Sequence, residues 1–131
     1  MRDTEFYIPG SILRITVDPT HPVAYGMPAE AAAFFIHSPA FAVGGASSQT
    51  PNATLPDTVR IVAHYPDSNL LMSGWMLGEP VIARRAAVVE AVLGKGRVVL
   101  LGFRAEHRGQ THGTYKLLFN SLLLATSDPV R

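Results

Sequence analysis

The densest group of side chains that could do chemistry lies in residues 104–114, which read RAEHRGQTHGT. Two arginines, two histidines and two threonines stand there, directly before a segment of helical pattern. Arginine side chains bind carboxylates and phosphates through paired hydrogen bonds, and the free amides at a helix N-terminus supply further donors. The segment therefore predicts a small-anion site with these candidate ligands: Arg104, His107, Arg108, Thr111, His112 and Thr114.

The same segment also has a structural interpretation. Arg104 and Arg108 can pair with Glu106 or with backbone carbonyl groups and so hold the loop in place. Thr111 or Thr114 can cap the helix that follows. Because side chains of these types serve either purpose, the sequence leaves both interpretations open.

Residue sets that support hydrolysis or metal binding are missing from the sequence. The chain has no cysteine, which excludes thiolate nucleophiles and cysteine-bound metals. His107 and His112 lack the one-turn spacing of zinc-binding histidines on a helix, and there is no His-x-x-Glu pair. A serine nucleophile elbow of the form Gly-x-Ser-x-Gly is also missing. We therefore predict no catalytic residue, no metal site and no cofactor within this chain.

The composition favours contact with another protein surface over binding to a highly charged partner such as nucleic acid. Apolar residues make up 47% of the chain and charged residues 16%, against about a quarter in average proteins. The formal charge of +1 gives no field that would gather nucleic acid. The longest apolar stretch, residues 31–36, is far shorter than a membrane helix, and residues 1–5 lack the apolar core of a signal peptide. We expect no nucleic-acid partner and no membrane insertion, and we keep a homo-oligomer open.

Alternating apolar residues predict the first strands of the fold. A polar stretch rich in Gly, Ser, Thr, Asn and Pro interrupts them and predicts an exposed, flexible loop. The predicted strands cover residues 11–17, 31–36 and 59–65, and the predicted loop covers residues 44–58. The alanines of residues 31–36 leave a short helix open as the alternative there.

Two valine-rich runs, residues 86–93 and 97–103, flank Gly94-Lys95-Gly96 and predict a β-hairpin. Both glycines are expected to adopt positive φ angles in the connection. The near-continuous apolar runs predict a sheet that is covered on both faces.

The last predicted element is a helix over residues 114–125. Tyr115, Phe119 and Leu122 recur at helical spacing, and several leucines widen this apolar stripe, so we expect the helix to be largely buried. Trp75, which lies among methionines, is predicted to be a core residue, with an exposed binding aromatic as the alternative.

Together these elements predict an α+β fold. A single domain spans residues 1–131, because the chain is too short to enclose a second core. Its sheet is expected to be mixed but largely antiparallel, with the hairpin at its centre and the C-terminal helix packed on one face.

Five stretches of the chain carry a family resemblance. They are FYIPGSILR at 6–14, DPTHPVAYGM at 18–27, SGW with LGE at 73–79, GKGRVVLLGFR at 94–104 and RGQTHGT at 108–114. Together and in this order they resemble the C-terminal region of bacterial M14-type zinc carboxypeptidase-like proteins. In those proteins a region related to class I glutamine amidotransferases follows the peptidase domain.

The resemblance implies that the chain is the C-terminal fragment of a larger protein, with a fold related to the end of an amidotransferase-like, flavodoxin-like domain. It places zinc in the parent's peptidase domain and the parent itself in a secreted or periplasmic location. The family's zinc ligands, its catalytic glutamate and the amidotransferase cysteine have no counterpart in this sequence. The implied function is a non-catalytic accessory or assembly domain whose partner is the remainder of the parent peptidase, with the small-anion module as the alternative.

Overall fold

The computed structural model describes residues 5–43 and 57–127 of the chain. They form six strands, two α-helices and three short 3-10 turns. The strands are β1 (Ser11–Val17), β2 (Glu30–Phe35), β3 (Val59–His64), β4 (Leu71–Ser73), β5 (Ala86–Leu93) and β6 (Gly96–Leu101). The helices are α1 (Glu79–Ile82) and α2 (Tyr115–Ala125), and the 3-10 turns are Pro22–Ala24, His107–Gly109 and His112–Thr114.

One sheet organises the described residues, in the strand order β2-β1-β3-β5-β6. The short strand β4 pairs with the beginning of β1, on the edge of β1 that β3 joins further along. Every pairing among these described strands is antiparallel. In β1, Leu13, Ile15 and Val17 are buried while the residues between them are half-buried, which is the alternation that the sequence predicts.

The sheet curls until the chain beyond β6 reaches the opposite edge. There the amide of Arg104 donates to the carbonyl oxygen of Phe34 in β2, at 3.0 Å. The fully buried Tyr65 lies inside the curl and donates its hydroxyl to the carbonyl oxygen of Gly102 at 3.3 Å. Burial raises the pKa of the Tyr65 phenol above its usual range, so this hydroxyl stays a donor.

The curled sheet and α2 enclose the core. Leu117 is the fully buried residue of α2, and Leu118 and Leu124 are half-buried against the same cluster. The α+β class and the helix packed against the sheet are thereby confirmed. The relation to an amidotransferase-like domain stays a prediction, and residues 44–56 of the predicted loop lie outside the described residues.

The predicted hairpin is present, with a two-residue connection between β5 and β6. Only Gly94 has a left-handed φ, of 61°, so the prediction that both glycines adopt positive φ is wrong. Gly94 is the first of the two central residues of the turn. A positive φ at that position alone fits a type II′ turn, which does not require a positive φ at Gly96. The prediction of a sheet covered on both faces is also wrong here, because Leu93, Val98 and Leu100 are exposed.

Trp75 lies at the surface with 53% of its area exposed, so its prediction as a core residue is wrong. Trp75 follows the end of β4, and it is the neighbouring Met76 that packs against the core. The buried Ser11 hydroxyl accepts from the Trp75 amide at 3.0 Å and donates to its carbonyl oxygen at 2.6 Å. The indole then packs edge-on against Tyr7, with ring centroids 5.8 Å apart.

Candidate docking surface

A compact turn at residues 18–27, which we call the His21 turn, provides the surface on which α2 packs. The Asp18 carboxylate accepts from both the hydroxyl and the amide of Thr20, at 2.6 and 3.0 Å. These hydrogen bonds favour the ionised carboxylate and lower the pKa of Asp18. This contribution to stability is present above the unfolded pKa and is lost as the pH falls through the lower, folded value.

His21 anchors the turn to the sheet through a buried hydrogen-bond chain. Its Nδ1 accepts from the amide of Val23 at 3.2 Å, so the ring proton sits on Nε2 and is donated to a Glu90 carboxylate oxygen at 3.0 Å. The other carboxylate oxygen of Glu90 accepts from Arg97 at 2.8 Å. Both ring nitrogens of His21 are therefore occupied within the protein, and the trio of His21, Glu90 and Arg97 joins the turn to the hairpin.

The inner face of α2 binds the His21 turn. Asn120 donates from Nδ2 to the carbonyl oxygens of Val23 and Tyr25, both at 3.0 Å. Lys116 donates from Nζ to the carbonyl oxygen of Gly26 at 2.6 Å. Polar side chains of the helix thus satisfy the carbonyl groups of the turn, and Leu117 beside them fills the core.

The opposite face of α2 is apolar and open. We call Tyr115, Phe119, Leu122 and Leu123 the outer stripe; Phe119, Leu122 and Leu123 are exposed by 56%, 59% and 69%. The prediction of a largely buried helix is therefore wrong, because the apolar residues surround the helix and the sheet covers one side of it. The single charged side chain of α2, Lys116, binds Gly26, so the outer stripe carries no charge.

A groove runs between the outer stripe and the His21 turn, with a volume of about 450 Å³. Its apolar walls are formed by Pro19 and Pro22 from the turn and by Leu123 and Leu124 from the helix. Tyr25, exposed by 78%, also lines the groove from the side of the turn. The groove and the outer stripe share Leu123 and so form one continuous surface, which we call the α2 surface.

The predicted anion-site residues lie next to this surface, on the path from β6 to α2. Thr114 is fully buried, and its hydroxyl lies 2.7 Å from the carbonyl oxygen of Ala105 and 2.8 Å from that of Thr111. The Thr111 hydroxyl lies 3.1 Å from the Thr114 hydroxyl. Neither hydroxyl caps α2, so that part of the structural interpretation is wrong. Their hydrogen bonds instead hold the loop together.

The two histidines of this loop stack on aromatic rings. His107 lies flat on Phe34, with ring centroids 4.4 Å apart and planes at 1°. His112 packs edge-on against Tyr115, at 5.6 Å between centroids, and Tyr115 in turn packs against Phe119 at 6.5 Å. The exposed His112 thus extends the outer stripe of α2 by one ring.

The two arginines of the loop point outward. Within the described residues, the side chains of Arg104 and Arg108 make no hydrogen bond or ion pair, with Glu106 or with any carbonyl group. Two amides at the start of α2 are already bonded, because Thr114 donates to Thr111 and Tyr115 donates to His112. The guanidinium groups remain accessible to an anion, and the small-anion site stays a prediction.

Comparison of the chain with models of protein families, with curated proteins and with solved structures gave no match. Among the described residues, no helix has the length and apolar character to cross a membrane. In residues 5–43 and 57–127 no three His, Asp or Glu side chains come together in a way that could hold a metal ion.

Proposed function

We propose that this chain is a non-catalytic assembly domain that binds folded protein through the α2 surface. The observation that carries the proposal is the outer stripe: three large apolar side chains, each more than half exposed, on a helix whose single charged side chain, Lys116, binds the His21 turn. A solvated helix normally exposes polar and charged residues on the face that points away from the core. A contiguous apolar patch of this kind marks a contact surface.

The energetic argument concerns the apolar surface that α2 leaves exposed to water. Moving apolar surface out of water contributes about 25 cal/mol per Å². The inner face of α2 is already satisfied by Leu117, Asn120 and Lys116, so the helix needs no further partner to fold. The apolar area of the outer stripe therefore remains available to stabilise an assembly.

The larger protein is proposed from the sequence resemblance. The stretches at 18–27 and 94–114 look like parts of the accessory region of M14-type zinc carboxypeptidase-like proteins, and they fall on structurally defined parts of the chain. The first builds the His21 turn, and the second builds β6 and the loop that leads into α2. On this proposal the partner is the remainder of the parent peptidase, zinc belongs to the parent's peptidase domain, and the chain supplies contact surface and no bond-breaking residue.

The test compares four forms of the peptidase-bearing protein. These are the intact protein, a form that lacks residues 1–131, the double variant Phe119→Lys/Leu122→Lys and the control variant Leu93→Lys. Leu93 is an apolar residue exposed by 65% at the end of β5, away from α2. We expect the truncation and the double variant to reduce correct assembly or peptide turnover while zinc content stays unchanged, and the control to behave as the intact protein. A truncated form identical to the intact one in assembly, stability and turnover would refute the proposal.

A second candidate function is the binding of a small anion by residues 104–114. The specific observation in its favour is that the Arg104 and Arg108 side chains are exposed and make no ion pair within the described residues. Accessible guanidinium groups bind phosphate or carboxylate by charge-assisted hydrogen bonds. The two functions are compatible, because the loop and the outer stripe meet only at His112 and Tyr115.

A further inference from the structure

The geometry of the α2 surface points to a second copy of this chain as the occupant of that surface. This inference rests on the proposed function, in which the remainder of the parent peptidase is joined to the chain, and it assigns the α2 surface to the contact between two such chains. We infer that two copies pair about a twofold axis with their α2 helices against each other. Phe119 and Leu122 of each copy then fill the groove beside Leu123 and Tyr25 of the other.

The first argument is shape. In a twofold interface each copy contributes the same patch, so the patch has to complement itself. The α2 surface has both parts that this requires, because protruding side chains of the outer stripe stand next to a groove of about 450 Å³. A rotation that turns one helix onto the other brings the protrusion of each copy to the groove of its partner.

The second argument is charge. An identical patch opposite itself places like charges together, and such contacts are destabilising. The side chains of Tyr25, Tyr115, Phe119, Leu122 and Leu123 are all uncharged, and the nearby Lys116 amine is bound to the Gly26 carbonyl oxygen at 2.6 Å. The apolar centre of the surface therefore places no like charges opposite each other.

The third argument is area. Given the usual size of such side chains, the exposed fractions of Tyr25, Phe119, Leu122 and Leu123 correspond to roughly 500 Å² of largely apolar surface per copy. A standard protein interface buries about 800 Å² per partner, with a polar rim around an apolar centre. Thr20, Asn120 and Ser127, which also line the groove, supply polar groups for that rim. The patch is smaller than a standard interface, which fits a weak, reversible dimer.

The experiment is sedimentation velocity of the 131-residue chain over a concentration series from about 1 µM to about 1 mM. The wild type is expected to change from monomer to dimer, and Leu123→Lys and Phe119→Lys are each expected to weaken the dimer at least about tenfold, since each places a charge in the apolar centre. The matched control is Leu93→Lys, which exchanges the same residue type at similar exposure on the hairpin. Urea unfolding of each variant confirms that the fold is retained, because all three substituted residues are more than half exposed.

A charge exchange tests whether the partner is a second copy. Leu122→Glu and Leu123→Lys chains, each expected to be monomeric alone, should form a mixed dimer when combined at low salt, because residue 122 of one copy lies beside residue 123 of the other. A wild type that stays monomeric up to ~1 mM would overturn the inference, as would a dimer that Leu93→Lys disrupts and Leu123→Lys does not. A monomeric wild type together with impaired assembly of the Phe119→Lys/Leu122→Lys peptidase-bearing protein would refute the self-pairing and retain the proposed function.

Discussion

The two faces of α2 use similar residues for different purposes. Leu117 on the inner face is fully buried, and Leu123 on the outer stripe is 69% exposed, although both are leucines of one eleven-residue helix. The inner face also carries Asn120 and Lys116, which bind carbonyl groups of the His21 turn. The comparison teaches that polar side chains on this helix mark the side that docks within the chain, whereas the side without them is left for another molecule.

The largest difference between the two faces should appear in stability. Leu117→Ala leaves a cavity in the core and is expected to lower the free energy of unfolding by about 2–5 kcal/mol. Leu123→Ala removes a side chain that is mostly in water, so a change below about 0.5 kcal/mol is expected. Urea unfolding at low micromolar protein concentration, where copies are separate, measures both values. Equal losses for the two variants would contradict the assignment of inner and outer faces.

The next largest effect concerns the trio of His21, Glu90 and Arg97, which holds the His21 turn against the hairpin. Glu90→Gln removes the charge that Arg97 and His21 both bind in a buried position, and we expect a loss of about 2–3 kcal/mol. The matched control is Glu30→Gln, which removes the exposed carboxylate that pairs with Arg14 at 2.9 Å. A surface pair of that kind contributes at most about 1 kcal/mol. If both substitutions cost the same, the buried chain through His21 does not stabilise the turn as described.

A smaller effect is expected where α2 meets the His21 turn. Asn120→Ala deletes two hydrogen bonds, to Val23 and Tyr25, and should lower stability by about 1–2 kcal/mol. Hydrogen exchange at the amides of residues 22–27 should accelerate in the same variant, since the turn loses its contact with the helix. Unchanged exchange in this segment would show that the helix does not hold the turn.

The smallest effect concerns the loop that leads into α2. Phosphate at a concentration near its Kd should raise the Tm by about 1–2 °C relative to chloride at equal ionic strength. Arg108→Ala should abolish that increase and leave the Tm in chloride unchanged, because the Arg108 side chain has no partner among the described residues. A Tm that phosphate does not change, in the wild type, would dismiss the small-anion site.

Local patterns made part of the fold predictable. The alternation in β1 and the glycine-bounded hairpin were readable because each depends on residues close in sequence. The presence of α2 was readable for the same reason. Its orientation was not, because apolar residues lie on nearly every side of the helix, and only the sheet decides which of them are covered. Lys116 and Asn120, the polar residues that bind the turn, were the local signals for the docked side.

The trio of His21, Glu90 and Arg97 was not predictable, since His21 and Glu90 are 69 residues apart in sequence. The only sequence signal was a single carboxylate in the apolar run 86–93. Such a residue in a buried strand requires a partner, but its identity depends on how the sheet places β5 against the turn. Trp75 was misassigned for a similar reason: which of the two neighbours Trp75 and Met76 faces inward depends on the contact between Ser11 and the Trp75 backbone.

The central claim is that the α2 surface is a contact surface between copies of this chain, and leucine methyl NMR on dilution from ~1 mM to ~10 µM tests it most directly. We predict that the methyl resonances of Leu122 and Leu123 shift with concentration, while those of Leu93 on the hairpin and Leu117 in the core stay in place. Resonances of Leu122 and Leu123 that do not move, or shifts confined to Leu93, would contradict it.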